Sequence, residues 1–332
     1  MGLYRFADWV LASTVSLEEL PGVAGEGAAS PDLSVHLVSL GPPDTPGTNP
    51  AHNWCEGSGW VTLSLYRAGR GFRLLVPQLA EFAIDDGGHG VTAWAAPGLN
   101  LETLRHLLLD QVLPRVLAHR GRLVLHAGAV RIGADRAIAF LGETGAGKST
   151  LTASFHAAGS PLLSDDALVL CPEDGAVLAV PTYPSLRLWP ESVAGVFAKS
   201  PRLARMAHYS DKQRVAVTDG VVRSGQPASL AALYVLAPAP ENGSVELNRL
   251  PPRDACMAIV ENAFQLDVTD TGRAARALAQ AAAVAERVPA FRLAYPQDFG
   301  ILPAVRAAIL GQHGRPPDLG AKPDRAATGA LP

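Results

Sequence analysis

The sequence predicts an α/β domain preceded by a smaller β-rich domain, and two patterns carry that expectation. Over residues 120–170 apolar strands alternate with a glycine loop and a helix, the punctuation of an α/β unit. Over residues 60–94 short strands succeed one another, separated by glycine-containing turns. At 332 residues the chain is long enough for two cores of ordinary size.

The first twenty residues carry Asp8 early and lack a basic flank leading into an apolar run, so no signal peptide is expected. Residues 22–53 are rich in Gly, Pro, Ser and Asp, and only 35–40 read as a strand; most of the stretch is expected to be loop. Strands are expected at 60–66, 72–76, 81–84 and 91–94, with turns at 67–71 and 85–88, which suggests an antiparallel module. A helix follows from an Asn100 N-cap, with Leu101, Leu104, Leu108, Val112 and Val116 spaced as one buried stripe. Pro114 should kink or divide it. This N-terminal domain is expected to span 1–119.

Beyond it the pattern predicts strands at 123–132 and 137–141, a helix at 148–158 and a strand at 161–170. Further strands are expected at 186–188, 232–236, 245–250 and 291–295, and helices at 253–264, 271–287 and 302–310. The second domain is thus expected over 120–313. Residues 314–332 combine Pro, Gly, Ala and charge without periodicity, which predicts a disordered tail.

Between the strand ending at Leu141 and the following helix, Gly142-Glu143-Thr144-Gly145-Ala146-Gly147-Lys148-Ser149 fits GxxxxGK[ST] at every required position, with Thr150 next in the helix. Glycines in this frame let successive backbone N–H groups turn towards phosphate, and the helix N-terminus adds a favourable dipole. Lys148 is expected to neutralise β/γ oxygens and Ser149 to ligate Mg²⁺. Lysine is scarce in this chain, which makes Lys148 stand out. ATP and Mg²⁺ are the expected ligands. The motif alone does not separate kinases from ATPases, GTPases or inactive binders.

Asp165 and Asp166 follow the loop helix on an otherwise apolar run. Adjacent residues of a strand point to opposite sides, so one carboxylate can face a metal while the other faces a substrate hydroxyl. A bland alternative is a helix-to-strand turn with solvated acids. Charge on a transferring phosphoryl group calls for further cations, and Arg187, Lys212 and Arg214 are the candidates; solvated surface is the alternative for each. Alternation of Arg187 with Leu186 and Leu188 should point it away from the core, whereas Lys212 and Arg214 could share a face.

Leu125-His126-Ala127, the glycine loop and Leu163-Ser164-Asp165-Asp166 together resemble the catalytic core of the HPr kinase/phosphorylase family, whose fold is of the HPr kinase / PEP carboxykinase-like type. That family places an Asp-Asp pair straight after the P-loop helix, as here. The resemblance is strong over 122–170 and weaker to 311. It implies Asp165 as the base that accepts a hydroxyl proton, Asp166 as a carboxylate near Mg²⁺, and His126 beside the active site; from the residues alone His126 reads equally as a buried structural histidine. A second family signature, tied to phosphorylase activity and to HPr, is replaced by Pro184-Ser185-Leu186-Arg187-Leu188-Trp189-Pro190. That departure argues against the reverse reaction and against HPr as acceptor. The layout looks more like shorter HPr-kinase-like proteins, some of which phosphorylate serine on a ribosomally made peptide.

The implied activity is transfer of a γ-phosphate to serine on a peptide or small protein; the rivals are a small-molecule hydroxyl as acceptor, or an ATP-binding regulator without transfer. With 28 basic and 31 acidic residues the chain lacks the charge footprint of a nucleic-acid binder. Cys55, Cys171 and Cys256 form no CxxC pair, so neither a zinc site nor a disulfide framework is expected, and a reducing cytoplasm fits. No apolar run approaches membrane-spanning length. Homo-oligomerisation is compatible with these features.

Overall fold

The fold, seen in a computed structural model, is mixed α/β and built on several sheets. Described are residues 1–23, 30–39, 41–42, 47, 49–55, 57, 59–173, 175–183, 185–199, 201–207, 210–215 and 226–314. The expected disordered tail, apart from Gly314, lies outside them.

Eight strands among the described residues form the first sheet: β1 (Gly2–Phe6), β2 (Trp9–Ser13), β3 (Leu33–Leu37), β4 (His52–Cys55), β5 (Val61–Ala68), β6 (Gly71–Val76), β7 (Ala80–Ile84) and β8 (Gly90–Ala95), in spatial order β1-β2-β3-β8-β7-β6-β5-β4. Alternation puts Phe72, Leu74 and Val76 of β6 inside, opposite Phe82 and Ile84 of β7. The strands expected to form an antiparallel module, β5 to β8, do pair antiparallel, but the sheet as a whole is mixed, because β2–β3 and β3–β8 pair in parallel. A long connection between β2 and β3 permits this, since parallel neighbours need a crossover and cannot be joined by a tight turn.

A helical segment covers one face of that sheet as α1 (Leu101–Leu107), a π-helical turn (Leu108–Val112) and α2 (Leu113–His119). Asn100 caps it, its Oδ1 accepting from the Thr103 N–H at 3.0 Å. Pro114 supplies no N–H for the carbonyl four residues back, and just ahead of it the Leu113 N–H reaches five residues back to Leu108 O. Leu104, Leu108, Val112 and Val116 are buried as the stripe requires. Leu101 is 50% exposed, which corrects its place in the stripe: it lies in the first turn, ahead of the packed part of the helix.

The second sheet comprises β9 (Leu123–Leu125), β10 (Gly128–Arg131), β11 (Arg136–Leu141), β12 (Leu162–Ser164), β13 (Leu168–Glu173), β14 (Ala176–Pro181), β18 (Ala228–Ala237), β19 (Glu246–Arg249) and β20 (Ala290–Ala294). A small sheet carries β15 (Leu186–Leu188), β16 (Leu203–Ala207) and β17 (Ser210–Val215). The helices are α3 (Lys148–Ala157), α4 (Pro190–Val196), α5 (Pro252–Glu261), α6 (Thr271–Arg287) and α7 (Leu302–Gly311). Strand β11 pairs in parallel with β18, and β18 with β20. Its residues alternate: Ile138 and Phe140 pack with Leu151 and Phe155 of α3 and Val305 and Ile309 of α7. Ala139 and Leu141 pack with Ile259 of α5 and Val284 of α6.

Two expected single strands are each broken. Residues 123–132 divide at His126–Ala127, because β9 pairs with β13 whereas β10 pairs with β11 and β12. Residues 161–170 divide at a bend holding Asp165 and Asp166, because β12 follows β10 while β13 joins β9 and β14. Val124, Val169, Val180 and Tyr183 of the second half pack in one cluster with Leu108 and Val112, so the first sheet's core runs into the second's. No described helix is long and apolar enough to cross a membrane.

Leu108→Ala should cost about 2–5 kcal/mol, because truncating a packed leucine adds a cavity to the lost transfer energy. Leu101→Ala should stay within roughly 0.5 kcal/mol. Urea unfolding of both variants checks the contrast.

Candidate phosphate and carboxylate site

Strand β11 delivers the chain into the glycine loop at the edge of α3. Gly142, Gly145 and Gly147 have φ of 144°, 86° and 97°, backbone that residues with a Cβ enter only under strain. Gly147 caps α3, so the loop N–H groups and the helix N-terminus converge. Lys148, first in the helix and buried, arches back to donate to Gly142 O at 2.7 Å and Glu143 O at 3.1 Å. Burial lowers its pKa, opposed by the charges of Asp166 and Asp165. Glu143 and Thr144 are exposed, and Ala146 packs at the rim of the α3 core.

The bend between β12 and β13 brings the aspartates to the start of α3. Asp165 is buried; its Oδ2 accepts the Arg187 backbone N–H at 2.9 Å, and the nearby Ser149 side chain draws its pKa down slightly. Its Oδ1 is buried with no hydrogen-bond partner among the described residues. Burial, reinforced by the negative charge of Asp166, pushes the Asp165 carboxyl up to about 7. Asp166 is partly exposed and ion-paired with the Arg187 guanidinium. The pair therefore differs in environment, although not by strand alternation as expected, since it sits in a bend.

The expectation that Arg187 points away from the core is corrected. It is 4% exposed and held from two sides, with Nη1 on Asp110 of the π turn and Nη2 on Asp166. The reason is that β15 lies between α3, which packs on Leu186 and Leu188, and the π turn, whose Asp110 receives the guanidinium. Burial disfavours the cation, but Asp110 and Asp166 hold its pKa well above the usual range. Tyr183 donates its hydroxyl to Asp110 Oδ1.

Lys212 stands 5.5 Å over the Trp189 ring, and its charge is felt at Lys148 and His126. Arg214 is turned elsewhere, donating to Glu19 Oε1 at 2.5 Å although it lies opposite Arg187 in the sheet register. Thr150 Oγ1 meets Ser192 Oγ of α4 at 3.1 Å. His126 sits in the break between β9 and β10, its backbone N–H donating to Asn262 O at 2.7 Å. Burial, then the positive charge of Lys148, pushes its pKa down to about 4, against an opposing pull from Asp166. The structure thus gathers the loop, Lys148, Ser149, Asp165, Asp166, Arg187, Lys212 and His126 into one neighbourhood and leaves Arg214 outside.

Two contributors carry no motif. Asn262, at the end of α5, accepts the Gly142 N–H on Oδ1 at 3.2 Å while its own carbonyl holds His126, so it ties the loop to the β9–β10 break. Asp110 is a carboxylate among Leu108, Leu109, Val112 and Leu113, and an acid inside an apolar helical run was the available signal.

The residues fit a Mg²⁺-bound nucleotide. The loop presents donors, Lys148 places a cation against the loop carbonyls, and Asp165 holds a buried oxygen with no partner among the described residues. No group of three or more His, Cys, Asp or Glu among the described residues could hold a metal, and Mg²⁺ on a nucleotide ordinarily takes one or two carboxylates with phosphate and water.

No protein-family model matches the chain, and no curated protein matches it in sequence. Among solved structures, the HPr(Ser) kinase/phosphatase from Coxiella burnetii aligns over 57% of this chain and 99% of that one, at 11% identity and a TM-score of 0.27, a distant likeness.

Because His126 protonates near 4 in the fold and near 6.5 when unfolded, the unfolded chain takes up the proton first as pH falls. Stability attributable to this group should be full above about pH 6.5 and lost towards about pH 4. Urea unfolding at about pH 7 and about pH 4.5 should show His126→Gln losing less stability than the native chain; parallel losses would count against a buried neutral His126.

Proposed function

We propose that this chain is an ATP-dependent kinase that transfers the γ-phosphate to a serine hydroxyl of a peptide or small protein. The observation that carries the proposal is the juxtaposition of a GxxxxGK[ST] loop with a buried aspartate whose carboxyl is raised to about 7 and whose Oδ1 has no partner among the described residues. A base works best when its pKa lies near the operating pH, and Asp165 meets that condition.

In this reading the loop N–H groups and the α3 N-terminus hold the phosphates, and Lys148 exchanges its two carbonyl partners for phosphate oxygens. Mg²⁺, when bound, would offset charge on the β- and γ-oxygens. Ser149 and Asp166 would hold it. Asp165 accepts the proton of the acceptor hydroxyl, and Lys212, beside the exposed Trp189, stands as a further cation. Serine as acceptor and a peptide as its carrier follow the motif resemblance, with a ribosomally made peptide the first substrate to try. A cytoplasmic setting belongs to the same reading.

Mg-ATP should raise the thermal midpoint of the native chain by mass action, and Lys148→Ala should lose most of that rise. A full shift in Lys148→Ala would remove the phosphate assignment. With γ-labelled ATP and candidate peptides, Asp165→Asn should bind nucleotide yet transfer about 10²–10⁴-fold more slowly. Near-native transfer by Asp165→Asn with Asp166→Asn inactive would exchange the two roles. Tight ATP binding without transfer to any peptide, protein or metabolite would favour a nucleotide-binding regulator.

A further inference from the structure

We infer that Asp110, on the π turn of the N-terminal helix, is a positioning residue for the proposed Mg-ATP site: its carboxylate retains Arg187, so that Asp166 can exchange that arginine for the metal. The inference rests on the nucleotide reading above and assigns the N-terminal half a part in the site.

The geometry is a chain of alternating charge. Asp110 takes Arg187 Nη1, and Asp166 takes Nη2 of the same guanidinium. His106, one turn before Asp110, places Nδ1 at 2.5 Å from Asp110 Oδ2 and 3.0 Å from Arg187 Nη1. Tyr183, just after β14, closes the far side on Asp110 Oδ1. Asp110 and Arg187 are both almost fully buried, whereas the Asp166 side chain is 23% exposed, so exchange of partners is open at the Asp166 end.

A buried guanidinium left without a counter-charge is strongly destabilised. If Asp166 were its sole anion, that ion pair would have to break entirely before Asp166 could ligate anything else. With Asp110 in place the guanidinium keeps a buried partner, and the energetic barrier to releasing Asp166 falls accordingly. The π turn matters here because such turns commonly mark functional positions in helices, and this one carries a carboxylate in an otherwise apolar stretch. A second ionic contact ties the same parts together: Glu19 accepts from Arg105 of α1 at 3.0 Å and from Arg214 of β17 at 2.5 Å. The small sheet bearing Arg187 and Lys212 is therefore docked on the N-terminal helix at two points.

The test is calorimetric titration of full-length chain with ATP, with and without Mg²⁺. Asp110→Asn keeps the shape and an oxygen for Tyr183 but removes the charge; Tyr183→Phe keeps the charge and removes the bond. Expected is a fall of about tenfold or more in the Mg²⁺-dependent gain in ATP affinity for Asp110→Asn, about 1.4 kcal/mol. Metal-free ATP affinity should stay near native, and Tyr183→Phe should change the gain far less. An unchanged gain in Asp110→Asn would overturn the inference. Equal losses in both variants, or loss of metal-free binding as well, would also overturn it by showing a merely structural role. Should the native chain itself bind no ATP, the nucleotide reading fails, which is a separate result from failure of the Asp110 assignment.

Discussion

A single buried guanidinium organises this protein. Arg187 sits on a three-residue strand, yet it joins the N-terminal helix to the aspartate pair, and its backbone N–H also fixes Asp165. A charge so deeply buried needs compensating contacts, and here they are two carboxylates, so the positions of Asp110, Asp166 and the π turn are mutually dependent. Every other feature of the site is arranged around that constraint: α3 packs behind β15, the loop lies at the start of α3, and the bend presents both carboxylates to the same strand.

The two aspartates owe their difference to this arrangement. Asp165 is buried in the bend, where desolvation outweighs the nearby arginine and raises its carboxyl, while Asp166 keeps contact with solvent. A neighbouring cation ordinarily depresses a carboxylate. Here the guanidinium charge is already divided between Asp110 and Asp166, and for Asp165 burial prevails. Such separation of two adjacent acids is what a division into proton acceptor and metal ligand requires.

Much of the architecture was legible because local periodicity and local packing agree. Helix α6 falls on the expected residues, and the strands from β5 to β8 fall within one or two residues of expectation, with burial alternating along β6 and β8. The helix cap at Asn100 was readable because it is a contact within one turn. Strands β1 and β2 gave no comparable signal, and β3 gained parallel partners through sequence-distant pairing. Apolar runs at 123–132 and 161–170 read as continuous strands because hydrophobicity does not record a change of neighbour.

From sequence alone came the glycine loop, its lysine and serine, the aspartate pair and the β-rich to α/β order, all of which rest on residue type at short spacing. Tertiary structure alone decided where the cations go. Alternation directed Arg187 outward, but a second layer of protein covers that face, and what would be the solvent side of an isolated strand becomes an interior lined by Asp110. Lys212 and Arg214 share alternate spacing, yet one faces Trp189 and the other Glu19. Asn262 reaches Gly142 across 120 positions of sequence. Charges find partners by proximity in space, and that proximity is set by how sheets and helices stack, which no local pattern encodes.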